Sequence, residues 1–157
     1  MNNRFISLSI LALSMVTATV TTTSAADDAI DARRAKGEAT IAKLSGGAGQ
    51  PVLNALRQDF PVLADGIVDY SLGDVWSRGV LDDRTRQLAA VAAFAAQGNA
   101  TVLKIHAGYA LKLGATEEEL KEIVYLTTVT AGFPRAIDAA QALREVFAAR
   151  RTDSAPR

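Results

Sequence analysis

Apolar residues recur along this chain at helical spacing, and no stretch alternates with period two for long. The pattern is densest from Leu88 to Ala96, nine consecutive apolar residues that are too few to span a bilayer. They predict a central helix buried on most of its sides, with Asp82 as N-cap, Asp83 in its first turn and Gly98 at its end. Asn99 then caps TVLKIHAGYALKLG, closed by Gly114, with Val102, Ile105, Tyr109 and Leu113 along its apolar face. Thr116-Glu117-Glu118-Glu119 reads as a capping box, and Leu120, Ile123, Val124 and Thr127 follow at i, i+3, i+4 and i+7. Gly132-Phe133-Pro134 starts a last helix whose stripe is Ile137, Ala140, Leu143 and Phe147.

Upstream the pattern is weaker. Residues 29–44 predict a solvated first helix, Ser45 to Gly49 a flexible break, and Pro51 a short helix through Arg57. Pro61 opens another, from about Phe60 to Leu72, burying Val62, Leu63, Ile67, Val68 and Tyr70. Gly73 and Gly79 bracket a turn-rich connection that carries Trp76, either a lid over the core or a ligand contact. The predicted fold is all-α with six or seven helices. Its alanine-rich central helix has too few large side chains to fill a core alone, so close packing and a subunit interface are expected.

Composition narrows the chemistry. At 157 residues one domain is the default. Lysine plus arginine balances aspartate plus glutamate at 17 each, so no global field attracts nucleic acid or an anionic membrane. The absence of cysteine excludes disulfides, thiolate metal sites and thiol peroxidase chemistry. Residues 1–26 read as a secretory signal: Arg4, an apolar run diluted by serine and threonine, then small residues for cleavage after Ala25 or Ala26. The other reading of that run is an uncleaved membrane anchor. With the signal removed, a single domain over 27–150 and a disordered tail over 151–157 are expected, periplasmic or secreted, with no stable membrane anchor. NAD(P)H and ATP are not normally supplied there, which favours a cofactor-free activity or a binding role. The glycines after Ser45 lack the lysine and hydroxyl pair of a phosphate-binding loop.

Three groups stand out as candidate chemistry. Arg84 and Arg86 sit in the first turns of the central helix, where the helix dipole disfavours cations. Either an anion near the helix start explains them, or Asp82, Asp83 or a partner subunit pairs with them. His106, the only histidine, lies beside an apolar face, as a hydrogen-bonded core residue or as a catalyst. No second histidine exists to complete a histidine-based metal site.

The segments LGDVWSRGVLDDRTRQLAAVAAFAAQG, LKIHAGYALKLGATEEELKEIV and TAGFPRAIDAAQALREVF resemble the carboxymuconolactone decarboxylase family across residues 72–147. That resemblance implies a small all-α fold assembled as homotrimers or homohexamers, with sites between helices and near subunit contacts. It also implies a cofactor-free lyase acting on a small carboxylated lactone or cyclic acid, or a peroxidase branch with a C-x-x-C pair. Asn99 and Val102 occupy those cysteine positions, and Gln87 stands where relatives often carry glutamate.

Decarboxylation of such a lactone needs carboxylates held, oxyanion charge stabilised and one proton delivered to carbon. Arg78 and Arg86 are the favoured carboxylate holders, with Arg84 and Arg135 also in the matched motifs. His106 is the expected proton donor, and Trp76, Tyr109 and Phe133 the expected apolar surround. The alternative is a non-catalytic oligomeric binding or scaffold protein that keeps the fold.

Overall fold

The structure, a computed structural model, describes residues 13–153; Arg4, the start of the apolar run and residues 154–157 lie outside the described residues. The fold is all-α, with no strand among the described residues. In order come α1 (Leu13–Ser45), α2 (Pro51–Asp59), α3 (Pro61–Gly66), a π-helix (Ile67–Trp76), α4 (Asp83–Gln97), α5 (Ala100–Lys112), α6 (Glu117–Thr130) and α7 (Phe133–Asp153). Helix α1 is continuous across the expected cleavage point at Ala25–Ala26, and α7 carries the first residues of the expected tail as helix. No helix among the described residues is long and apolar enough to cross a membrane.

These elements form two compact units. The first holds α1 as far as Thr40, α2, α3 and the π-helix. Its centre is a close backbone approach: a Cβ on Gly37 would collide with the Val68 carbonyl, and one on Gly73 with the Arg33 carbonyl. Only glycine admits such contacts. They turn Ala64, Val68 and Leu72 inward, while Val62, Leu63 and Tyr70, expected on the buried side, are exposed. The register is thus set by the glycine contacts with α1 and not by the larger apolar side chains.

The connection expected between Gly73 and Gly79 is helical as far as Trp76, closed by Ser77 N–H donating to the Leu72 carbonyl at 3.1 Å, an i to i+5 bond. Paired charges line the same seam. Arg34 forks onto Asp69 at 3.0 and 2.8 Å, and Arg33 meets Asp74 at 2.9 Å.

The second unit holds the last turn of α1, the loop after it and α4 to α7. The predicted punctuation is present. Asp82 Oδ1 accepts from Thr85 N–H at 2.9 Å, and Gly98 ends α4 in the left-handed region at φ 73°. Asn99 Oδ1 accepts from Val102 N–H, and Thr116 and Glu119 form the capping box.

Leu120 and Thr127 of α6 and Leu143 and Phe147 of α7 are buried as expected, and elsewhere packing departs from the expected faces because alanine is the spacer. The core comprises Val91 and Ala95 of α4, Leu103, Ala107 and Ala110 of α5, Leu120 of α6, and Ala139, Ala142, Leu143 and Phe147 of α7. Alanines bring the helices close, and bulkier residues are displaced from the closest lines of contact. Val102, Ile105 and Leu113 are only partly buried, and Ile137 is exposed. Helix α4 buries one side, with Ala89 and Ala93 in solvent, and not most of its circumference.

Two contrasts test this packing by urea unfolding. Leu120→Ala, at a fully buried position, is expected to cost about 2–5 kcal/mol. Gly37→Ala is expected to cost about 1–3 kcal/mol by overpacking, while Val62→Ala, at a side chain 84% exposed, stays within about 0.5 kcal/mol of the parent. Equal effects at Gly37 and Val62 would refute the glycine-set register.

Candidate functional site

Leu103, His106, Ala107 and Ala110 fall at i, i+3, i+4 and i+7 of α5, so the histidine rides the inward stripe of its helix. Helix α4 meets it with two side chains seven residues apart, Gln87 and Phe94. His106 Nδ1–H donates to Gln87 Oε1 at 2.7 Å. The imidazole stacks on Phe94 with ring centroids 5.1 Å apart, and Tyr109 stands edge-on to it at 6.0 Å. Burial among these groups lowers the His106 pKa from its ordinary 6.5 to about 4. The imidazole is neutral at pH 7.

Two further polar atoms belong to this cluster. Gln87 is fully buried, and its amide nitrogen has no hydrogen-bond partner among the described residues. The Tyr109 hydroxyl is likewise buried and unpartnered, and burial pushes its pKa up to about 12, so it keeps its proton. An unpaired buried donor typically costs about 1–3 kcal/mol. Two such donors beside an imidazole that can gain or lose a proton make a constellation suited to an anionic oxygen and to proton transfer.

The sequence-predicted residues divide. Tyr109 joins His106, and the structure adds Gln87 and Phe94, which the motif pattern does not place in the site. The signal was a long polar side chain heading the stripe Gln87, Val91, Ala95, where burial demands a partner. Arg84 pairs with Glu119, not with Asp82 or Asp83. Those aspartates are engaged elsewhere, Asp82 by Thr85 and Asp83 by Lys43.

Arg86 turns back onto the preceding loop and donates to the carbonyls of Arg78 and Leu81 at 2.5 and 3.2 Å, so it anchors the segment that carries Arg78. Arg78 itself is exposed. Arg135 is exposed too, with its guanidinium lying where a Gly98 side chain would be. A cation there complements the C-terminal dipole of α4. Phe133, expected in the apolar surround, is 71% exposed at the start of α7, and Phe94 supplies the aromatic wall instead. Trp76 is half-buried at the end of the π-helix, in the first unit.

Residues 61–145, more than half of the chain, match the family described as Carboxymuconolactone decarboxylase. The chain is similar to the 4-carboxymuconolactone decarboxylase of Acinetobacter baylyi, 35% identical over 95 residues that make up 60% of this chain and 69% of that protein. It is also similar to the nitrosuccinic acid decarboxylase of Metarhizium robertsii, 34% identical over 91 residues, 56% of this chain and 64% of that relative. The His106 cluster lies inside the matched region.

The depressed imidazole pKa links stability to pH. Between pH 6.5 and about 4 the unfolded chain binds a proton at His106 that the folded chain refuses. Stability is therefore full above pH 6.5 and falls as the pH drops toward 4, by about 3 kcal/mol from this residue. Chemical unfolding at several pH values, compared with His106→Gln, checks it: the variant is expected to lose that part of the slope, and identical slopes would refute the assignment.

Proposed function

This chain belongs to the carboxymuconolactone decarboxylase family, and from that premise we propose that it is a cofactor-independent carboxy-lyase acting on a small carboxylated lactone or related acid. The observation that carries the reading is the neutral His106, held by Gln87 and walled by Phe94 and Tyr109 within the matched region. Both relatives are named as decarboxylases. A carbonyl conjugated to the departing carboxylate, or a nitro group beside it, accepts the electron pair left on carbon as carbon dioxide leaves. The substrate is then its own electron sink, and the reaction as proposed draws on no cofactor.

What remains for the protein is to hold charge and move one proton. Arg78, on the segment anchored by Arg86, holds a substrate carboxylate, and Arg86 adds positive charge to the developing oxyanion. Arg84 and Arg135 are subordinate in this scheme because Glu119 and the end of α4 engage them. An anionic substrate beside the imidazole raises its proton affinity, so binding draws a proton from solvent onto His106. The imidazolium then protonates the carbon from which carbon dioxide has left, and the neutral imidazole is restored. One proton is consumed for each carbon dioxide released.

Carbon dioxide release from 4-carboxymuconolactone and from nitrosuccinate, measured with purified protein, tests the reading. Turnover is expected with at least one of them, and His106→Gln should lower kcat by about 10²-fold or more. No release from either acid, together with calorimetric binding of a non-reactive dicarboxylate, would replace the lyase with the binding-protein alternative.

The same proposal includes assembly and export. Tyr125, Leu126, Val129, Phe133 and Ile137 leave an exposed apolar run across the turn from α6 to α7, which supports association of identical chains. The pattern of residues 1–26 supports export. Sedimentation and the N-terminal mass of protein recovered from the periplasm check both. A monomer, or a chain that keeps Met1, would count against the corresponding part.

A further inference from the structure

We infer that Gln87 is a positioning residue that uses both ends of its amide: the oxygen fixes His106 in the Nδ1–H form, and the amide nitrogen, with the Tyr109 hydroxyl, is offered to an oxyanion of the bound acid. The first half follows from the bond itself. An amide oxygen cannot donate, so the 2.7 Å contact requires the proton on His106 Nδ1. A neutral imidazole carries one N–H, so His106 Nε2 is the proton-accepting nitrogen. Imidazole in water favours the opposite form, with the proton on Nε2, and a fixed partner is needed to reverse that preference.

Gln87 is suited to this because it cannot move away. It is fully buried on the stripe that continues through Val91 and Ala95, and Phe94, one heptad on, stacks against the same imidazole. A glutamate at this position would also accept from Nδ1, yet it would place a negative charge beside a substrate that is itself an anion. The amide keeps the acceptor and replaces the charge with a donor.

That donor is the second half. The amide nitrogen of Gln87 is buried and unpartnered, and so is the hydroxyl of Tyr109, on the residue three positions after His106. Two neutral donors flanking one imidazole match a carboxylate, enolate or nitronate oxygen better than they match an apolar ligand. This ligand class rests on the decarboxylase reading, whereas the form of the imidazole does not.

The chain has a single histidine, so its nitrogen resonances are unambiguous. In two-bond ¹H–¹⁵N correlation spectra of the ¹⁵N-labelled protein at pH 7, without substrate, Nδ1 is expected to resonate as a protonated nitrogen and Nε2 as an unprotonated one. Gln87→Glu, which retains an acceptor, should keep Nδ1 protonated while its carboxylate raises the proton affinity of Nε2, and Gln87→Leu should reverse the wild-type pattern. A wild-type spectrum showing protonated Nε2 would mean that the amide is turned the other way and would overturn the proposal, as would an unchanged pattern in Gln87→Leu.

For the second half, calorimetry with succinate as probe should give a Kd raised about fivefold or more by Tyr109→Phe and by Gln87→Glu, with His106 Nδ1 still protonated in both. Absent binding, or an unchanged Kd in both variants, would overturn that half. The expected spectra in a protein that releases no carbon dioxide would sink the decarboxylase reading and still support the role of Gln87.

Discussion

The hydrogen bond between the His106 imidazole and the Gln87 amide joins α4 to α5 inside the second unit. Its consequences run in both directions. Each partner is a polar group among alanines and leucines, where burial without a bond would be costly, so each makes the other's position tolerable. The bond fixes where the imidazole ring lies, Phe94 fixes its plane, and Tyr109 closes its edge. The low proton affinity of His106 follows from the same enclosure.

Around this cluster Arg84 and Arg86 are tied into the structure. Arg84 reaches from α4 to Glu119, which also forms half of the capping box of α6, so one carboxylate serves a helix start and a helix pair. Arg86 gathers the two carbonyls of the loop before α4. Such a tether restrains the Arg78 segment against the start of α4, where Gln87 follows Arg86 in sequence. A carboxylate-binding role for Arg78 therefore depends on Arg86 even if Arg86 never touches a substrate.

The first unit depends on a different constraint. Backbone carbonyls of Val68 and Arg33 approach Gly37 and Gly73 respectively within the space a single methyl group would need. That approach, with Arg33 and Arg34 paired to Asp74 and Asp69, holds a ten-residue π-helix against α1. A π-helix is rare and is commonly kept where its altered spacing serves a site. Here it ends at Trp76.

By itself the sequence determined the helices of the second unit and their ends, because capping and helix termination are local. Asp82, Gly98, Asn99 and the Thr116–Glu119 box act on backbone groups within four residues of themselves. It also singled out His106, the single histidine of the chain, and the family motifs marked the region that holds it. The inward stripe of α6 through Leu120 and Thr127, and Leu143 and Phe147 of α7, were legible too, whereas tertiary structure decided which residues turned inward where small side chains compete with large ones. Close packing is set by the smallest residues, so Ala136 and Ala139 were buried while Ile137 was left in solvent, and glycine contacts overrode Val62 and Tyr70. It alone chose the partner of the imidazole, too. Gln87 and His106 are nineteen positions apart in the chain, and only the packing of α4 on α5 brings an amide oxygen to 2.7 Å from Nδ1.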